Sequence, residues 1–183
     1  MKKFTCLDLF AGAGGLSRGF YDAGFNVVLG VDFDDAALQT FAKNHGTAKA
    51  MKLDLFNHDN IKCIVDELDN QGVTLDVLVG GPPCQGFSTI GKRISSDPNK
   101  RQEADPRNTL FQEYVRILTK LKPKFFVMEN VEGLLTRDGG RIFEEIKRID
   151  NDLISREVGC IHSIQGYDLS YAYVIIGNDL RYD

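Results

Sequence analysis

Asp8-Leu-Phe-Ala-Gly-Ala-Gly-Gly, ending at Gly15, decides the fold. A short apolar run over residues 4–10 leads into it, and glycines end that run. A strand that stops in a glycine-rich turn and passes into a helix lets a ligand approach the backbone closely. Leu16, Phe20 and Ala23 follow at near-helical spacing, and Gly24 is the stop. Residues 25–31 read as a second strand. Asp34 and Asp35 open a helix carrying Ala37, Leu38 and Phe41, closed by Gly46. Residues 48–55 form a weak strand. Ile61, Ile64, Val65 and Leu68 mark a helix that stops near Gly72, and residues 75–79 make a buried strand. Leu110, Phe111, Tyr114, Leu118 and Leu121 mark the next helix, halted by Pro123. A strand over 125–128 follows, then a helix with Ile142, Phe143, Ile146 and Ile149. Strands alternating with helices predict an α/β fold, a mostly parallel sheet with helices on both faces.

The 183 residues suit one domain, or one domain and a fragment. Apolar residues make up 43 % and charged residues 26 %, which excludes a disordered chain, a collagen and a coiled coil. The longest uncharged run, 77–91, contains two prolines and four glycines, so no membrane span is expected. Asp8 interrupts the first apolar run, which argues against a secretory signal. Cys6, Cys63, Cys84 and Cys160 form no CxxC pair, so no metal site is expected. Reduced thiols suit a cytoplasmic protein. The net charge is −4. Proteins that cover much DNA backbone are usually basic, so a nucleic-acid role needs a local basic patch or a basic segment this chain lacks. Periodicity stops between residues 86 and 108. There Lys92, Arg93, Lys100, Arg101 and Arg107 outnumber Asp97, Glu103 and Asp105. A stretch of this kind inside a compact domain reads as a functional lid or a disordered segment.

Three segments carry chemistry. The first is the glycine turn with Asp32, about twenty residues on at the end of the second strand. A carboxylate there can take both hydroxyls of a ribose, in a dinucleotide or in S-adenosylmethionine; a tight turn with a solvated Asp is the plain alternative. The second is Gly80-Gly-Pro-Pro-Cys-Gln-Gly-Phe-Ser, just past a buried strand. Its prolines fix a rigid turn and aim Cys84 at the crevice, where a low-pKa thiol can act as a nucleophile. A buried structural Cys is the alternative. The third is Glu129, which ends the apolar strand 125–128. Partial burial there is expected to raise its pKa and suit it to proton donation; a strand-end Glu paired with an amide or a base is the alternative.

Taken together, DLFAGAGGLSRGF, GVDFD, LDLF, GGPPCQGFSTIGKR, RNTLFQEYVRIL and KPKFFVMENVEGLL resemble the C5-cytosine DNA methyltransferases over residues 5–149. The resemblance implies a Rossmann-like S-adenosylmethionine-dependent methyltransferase fold and, as function, DNA cytosine-5 methylation, of the kind found in bacterial restriction-modification systems. It implies that Phe10, Gly12, Ala13, Gly14 and Gly15 line the S-adenosylmethionine pocket. Asp32 then holds the ribose and Phe33 lies against the adenine, with Asp54 and Leu55 at the adenine edge. Pro83 and Leu110 close the methionine end. Cys84 attacks C6 of a cytosine flipped from double-stranded DNA, and Glu129 binds or protonates N3. The product is S-adenosylhomocysteine.

Past residue 150 the family pattern breaks. The family has a Gln-x-Arg-x-Arg run; here Gln165 is present, but no arginine follows before Arg181. Residues 1–150 are expected to form the catalytic domain and residues 151–183 an atypical tail, with no target recognition domain. The tail resembles a late segment of bacterial helicase-like ATPases. No Walker A lysine motif exists, so ATPase activity is not expected. Residues 171–177 are expected to add a strand to the sheet, with His162 a strand residue. DNA binding without a reading domain is expected to be weak, and a complementing chain can supply the missing parts. The alternative function is a catalytically incompetent nucleotide-binding fragment or interaction module. An RNA cytosine methyltransferase of the same family is a further reading. An NAD-dependent dehydrogenase fits less well, because the turn lacks its third glycine.

Overall fold

A computed structural model describes residues 3–83 and 109–129. They form a five-stranded, wholly parallel sheet in the order β3-β2-β1-β4-β5. In chain order the elements are β1 (Thr5–Leu9), α1 (Gly15–Asp22), β2 (Asn26–Asp32), α2 (Asp35–Asn44), β3 (Lys49–Lys52), α3 (Asn60–Asn70), β4 (Val77–Gly80), α4 (Leu110–Leu121) and β5 (Phe125–Met128). The order reverses between β1 and β4. A parallel sheet binds ligands in the crevice beyond the strand C-termini at such a switch point. The helix expected at 142–149, the loop at 86–108 and the tail strand at 171–177 lie outside the described residues.

Strand alternation sorts β1 onto two cores. Leu7 and Leu9 pack with Leu29, Val31 and Leu78 against Ile64 and Leu68 of α3 and Tyr114, Ile117 and Leu118 of α4. Cys6 packs on the other side with Val77 and Val79, against Phe20 of α1 and Leu38 and Phe41 of α2. Both faces are covered, so the strands read as continuous apolar runs rather than alternating ones. Gly30 admits the Phe41 ring: a Cβ there would lie 2.2 Å from its Cζ.

Helix ends follow the chain's chemistry. Asp34 caps α2 by accepting from the amides of Ala36 at 2.9 Å and Ala37 at 3.4 Å. The α2 helix ends at Asn44, and His45, rather than Gly46, closes it by donating its amide to the Phe41 carbonyl. Lys122 ends α4 in the left-handed region at φ 46°, and Pro123, which cannot continue the helix, follows it. Strand β3 is shorter than the apolar pattern over 48–55 suggests. The Asp54 carbonyl accepts from Asn57 and its carboxylate from Phe56, which turns the chain away from the sheet.

Tyr114 ties the second half of the sheet together. Its ring is fully buried, and its hydroxyl lies 3.1 Å from both the Leu78 carbonyl of β4 and the Val127 carbonyl of β5. Burial pushes its pKa well up, so it stays a donor. Tyr114→Phe keeps the ring and loses this bond. Urea denaturation is expected to show a loss of about 1 kcal/mol, against about 3–5 kcal/mol for Tyr114→Ala.

Candidate functional site

The turn after β1 is built on positive backbone angles at Phe10 (φ 57°), Gly12 (52°) and Gly14 (84°). Glycine takes such angles freely, whereas Phe10 holds one at a cost of about 1–2 kcal/mol. Three neighbours brace the turn. The Ala11 amide donates to the Val31 carbonyl at 3.0 Å. The Gly12 amide donates to Asp32 Oδ2 at 2.8 Å. Asn44 Nδ2 donates to the Ala13 carbonyl at 2.8 Å. Asp32 is half-buried, and its other oxygen accepts from the Asp34 amide at 2.9 Å. The carboxylate is thereby held at the mouth of the turn, and each oxygen keeps lone pairs for a further donor.

Among the described residues, space lies open beside the turn at two of its glycines. A Cβ placed on Gly12 or on Gly15 would meet nothing within 4 Å. Phe33, next to Asp32, is 69 % exposed. Asp54 is exposed after β3, on the far side of β2 from β1. Leu55 has its side chain buried in the core against α3 and α4, which leaves its backbone facing a ligand. Leu110 is buried at the start of α4, and Pro83 is half-buried after β4.

Across the switch point, β5 ends at the same edge. The Glu129 amide donates to the Gly80 carbonyl at 2.9 Å. The Glu129 carboxylate lies over Gly81, where a Cβ would come within 2.8 Å of Oε2. A side chain at position 81 would displace it. Glu129 is exposed, not partly buried as its apolar strand suggested, because it lies one residue beyond the last paired residue of β5. Cys84 follows Pro83 in the chain and lies outside the described residues.

Beneath the turn the structure adds residues that sequence reasoning missed. Asp8 is 1 % exposed and its Oδ2 accepts from the Ser17 amide at 3.3 Å. His45, also buried, faces Ser17 and the Gly14 carbonyl. An Asp inside a buried strand was a visible signal; a single His closing a helix was not.

A doubly covered parallel sheet with a glycine turn at its switch point defines a Rossmann-like α/β fold. Among solved structures, a prophage-encoded DNA modification methyltransferase from E. coli is similar, with TM-score 0.65 and 30 % identity over 82 % of this chain and 38 % of that one. A Schizosaccharomyces pombe Dnmt2 methyltransferase shares the fold, with TM-score 0.55 and 21 % identity over 82 % of this chain and 41 % of that one. The C-5 cytosine-specific DNA methylase family matches residues 4–153, and the chain belongs to that family. It is 42 % identical to the type II methyltransferase M1.HphI of Haemophilus parahaemolyticus, over 78 % of this chain and 36 % of that protein. It is 41 % identical to M.DdeI of Desulfomicrobium norvegicum, over 71 % of this chain and 28 % of that protein. The chain spans about a third of the length of these curated relatives. Residues 146–183 match a Schlafen group 3 DNA/RNA helicase domain, weak support for the helicase-like resemblance of the tail.

Burial, with the Asp32 charge adding to it, lifts the Asp8 carboxyl to about 7, against 3.8 for a free side chain; the Ser17 hydrogen bonds pull the other way. Between those values the folded chain binds more protons than the unfolded one. Stability from this group is therefore full below about pH 4, falls as pH rises to about 7, and is level above. Asp8→Asn removes the dependence. The difference in unfolding free energy between variant and wild type is expected to shift by about 3 kcal/mol in favour of the variant from pH 5 to pH 8. A difference that stays constant across that range contradicts the assignment.

Proposed function

We propose that this chain carries the catalytic core of a DNA cytosine-5 methyltransferase that uses S-adenosylmethionine. The observation that carries the reading is the Glu129 carboxylate lying against Gly81, directly ahead of Pro82-Pro83-Cys84, across one switch point from the braced turn. In this reading Glu129 is the acid at that edge, and the chain leaves β4 there toward the Cys84 nucleophile.

The residues present suit the cofactor. Open space over Gly12, a ribose-reaching carboxylate at Asp32 and an exposed ring at Phe33 match a nucleoside. In this reading Phe10, Gly12, Ala13, Gly14 and Gly15 line the pocket. Asp54 and the Leu55 backbone meet the adenine edge, and Pro83 and Leu110 close the methionine end. S-adenosylmethionine supplies an electrophilic methyl group and leaves as S-adenosylhomocysteine.

The chain's own residues prepare the base. The Cys84 thiolate adds to C6 of a cytosine turned out of the duplex. Glu129 hydrogen-bonds N3 and draws electron density from the ring, which favours that addition. Once C5 is methylated, loss of the C5 proton expels Cys84. Lys92, Arg93, Lys100, Arg101 and Arg107 contact phosphates, so DNA affinity falls with salt. The cognate relatives are type II methyltransferases, and a restriction-modification role is proposed for this chain by that likeness. A further segment or chain reads the target sequence.

The test is transfer of a tritiated methyl group from S-adenosylmethionine to unmethylated, mixed-sequence DNA. Incorporation is expected, and Cys84→Ser is expected to abolish it together with any covalent complex on 5-fluorocytosine DNA. Undiminished transfer in that variant removes Cys84 from its role. Asp32→Ala is expected to weaken S-adenosylhomocysteine binding by about 1–3 kcal/mol in a calorimeter. Equal affinity in the two proteins sinks the ribose assignment.

A further inference from the structure

Glu113 stands where the α4 pattern calls for an apolar side chain. The buried face of that helix runs Leu110, Phe111, Glu113, Tyr114, Ile117 and Leu118, and Glu113 is 6 % exposed. An acid in the first turn suits the helix dipole, but the exposed position of Gln112 would serve that purpose without burial. Both Glu113 oxygens are engaged. Oε2 accepts from Nη1 of Arg116 at 2.8 Å, within the same helix. Oε1 lies 3.2 Å from Nε2 of His58, 55 residues back in the chain. A carboxylate only accepts, so the His58 ring meets it with an N–H. The His58 side chain is itself mostly exposed, so it adds little to the core; what it contributes is the bond.

His58 belongs to the segment that links β3 to α3. Internal bonds make this segment one unit with the head of α3. The Asp54 carbonyl accepts from the Asn57 amide at 3.1 Å and from Asn60 Nδ2 at 2.8 Å. The His58 carbonyl accepts from the Ile61 amide at 3.3 Å. At the start of the segment the Leu53 amide donates to the Asp32 carbonyl at 2.9 Å. A connected path thus runs from Asp32 through Leu53, Asp54 and His58 to Glu113. It ends in the first turn of α4, which begins at Leu110.

We propose that His58 and Glu113 are positioning residues: their bond fixes the segment carrying Asp54 and Leu55 against the head of α4, and so sets the spacing between the adenine edge and the methionine end of the cofactor pocket. The proposal rests on the cofactor reading above and names what holds two of the pocket's walls. Loss of the bond frees one wall from the other. The glycine turn keeps its own braces from Asp32 and Asn44, so it is left in place.

The experiment compares the isotopically labelled full chain with His58→Leu, His58→Gln, Glu113→Leu and the double variant His58→Leu/Glu113→Leu. Amide shifts are recorded without ligand, and S-adenosylhomocysteine is then titrated by calorimetry. Glu113→Leu is expected to move the Asp54 and Leu55 amides, while those of Gly12 and Gly14 stay. It is expected to weaken binding about tenfold. Leucine suits the buried face, so the fold is retained and the loss is not one of folding. His58→Leu, a change at an exposed site, is expected to weaken binding by a similar factor, and His58→Gln, which keeps an N–H donor, to bind as wild type does. The double variant loses no more than either single one. Movement of Asp54 and Leu55 in Glu113→Leu, in a chain whose wild type binds no S-adenosylhomocysteine, leaves the linkage standing and removes the cofactor reading. Where the wild type binds, unchanged affinity in His58→Leu, an equal loss in His58→Gln, or losses that add in the double variant overturn the proposal.

Discussion

The pairing of β1 on both sides, with β2 and with β4, is the constraint on which the site depends. A central strand has no free edge and no solvent face, so its end is fixed in space. The glycine turn therefore starts from a rigid point. The Gly12–Asp32 bond then ties that turn to the end of β2, and β4 and β5 bring Gly81 and Glu129 to the same edge. Order at the mouth of the crevice is inherited from burial beneath it.

That burial has an internal exception. Asp8 occupies a fully covered position where an apolar residue would raise no electrostatic cost. Its contact with Ser17 satisfies one oxygen and leaves the other bare. A polar group held this way in a core costs stability, and this one lies directly under the glycine turn. At the opposite end of the sheet the arrangement is ordinary. Asp76 there accepts from Lys124 and from the Thr5 amide, which hold its carboxyl below the usual range.

Much of the fold was legible because apolar runs and glycine stops report directly on burial and backbone angle. The runs ahead of Gly12, Gly81 and Glu129 gave strands where β1, β4 and β5 lie, and Asp32 does end β2. Boundaries failed where polar groups competed with the ladder. Asp54 turned the chain out of β3 early, and His45 closed α2 before Gly46. Side-chain direction was the least legible. Asn44 and His45 brace a turn 31 residues away, a contact that no local period encodes. Leu55 went to the core and Glu129 to solvent because three-dimensional neighbours decide burial at element ends.

The central claim is that the braced turn and Asp32 form the seat of S-adenosylmethionine. The most direct measurement is a chemical-shift map of the isotopically labelled chain titrated with S-adenosylhomocysteine. The account predicts the largest changes at Gly12, Gly14, Asp32 and Phe33, with smaller ones at Asp54. No saturable change, or changes centred away from the C-terminal edge of β1 and β2, would contradict it.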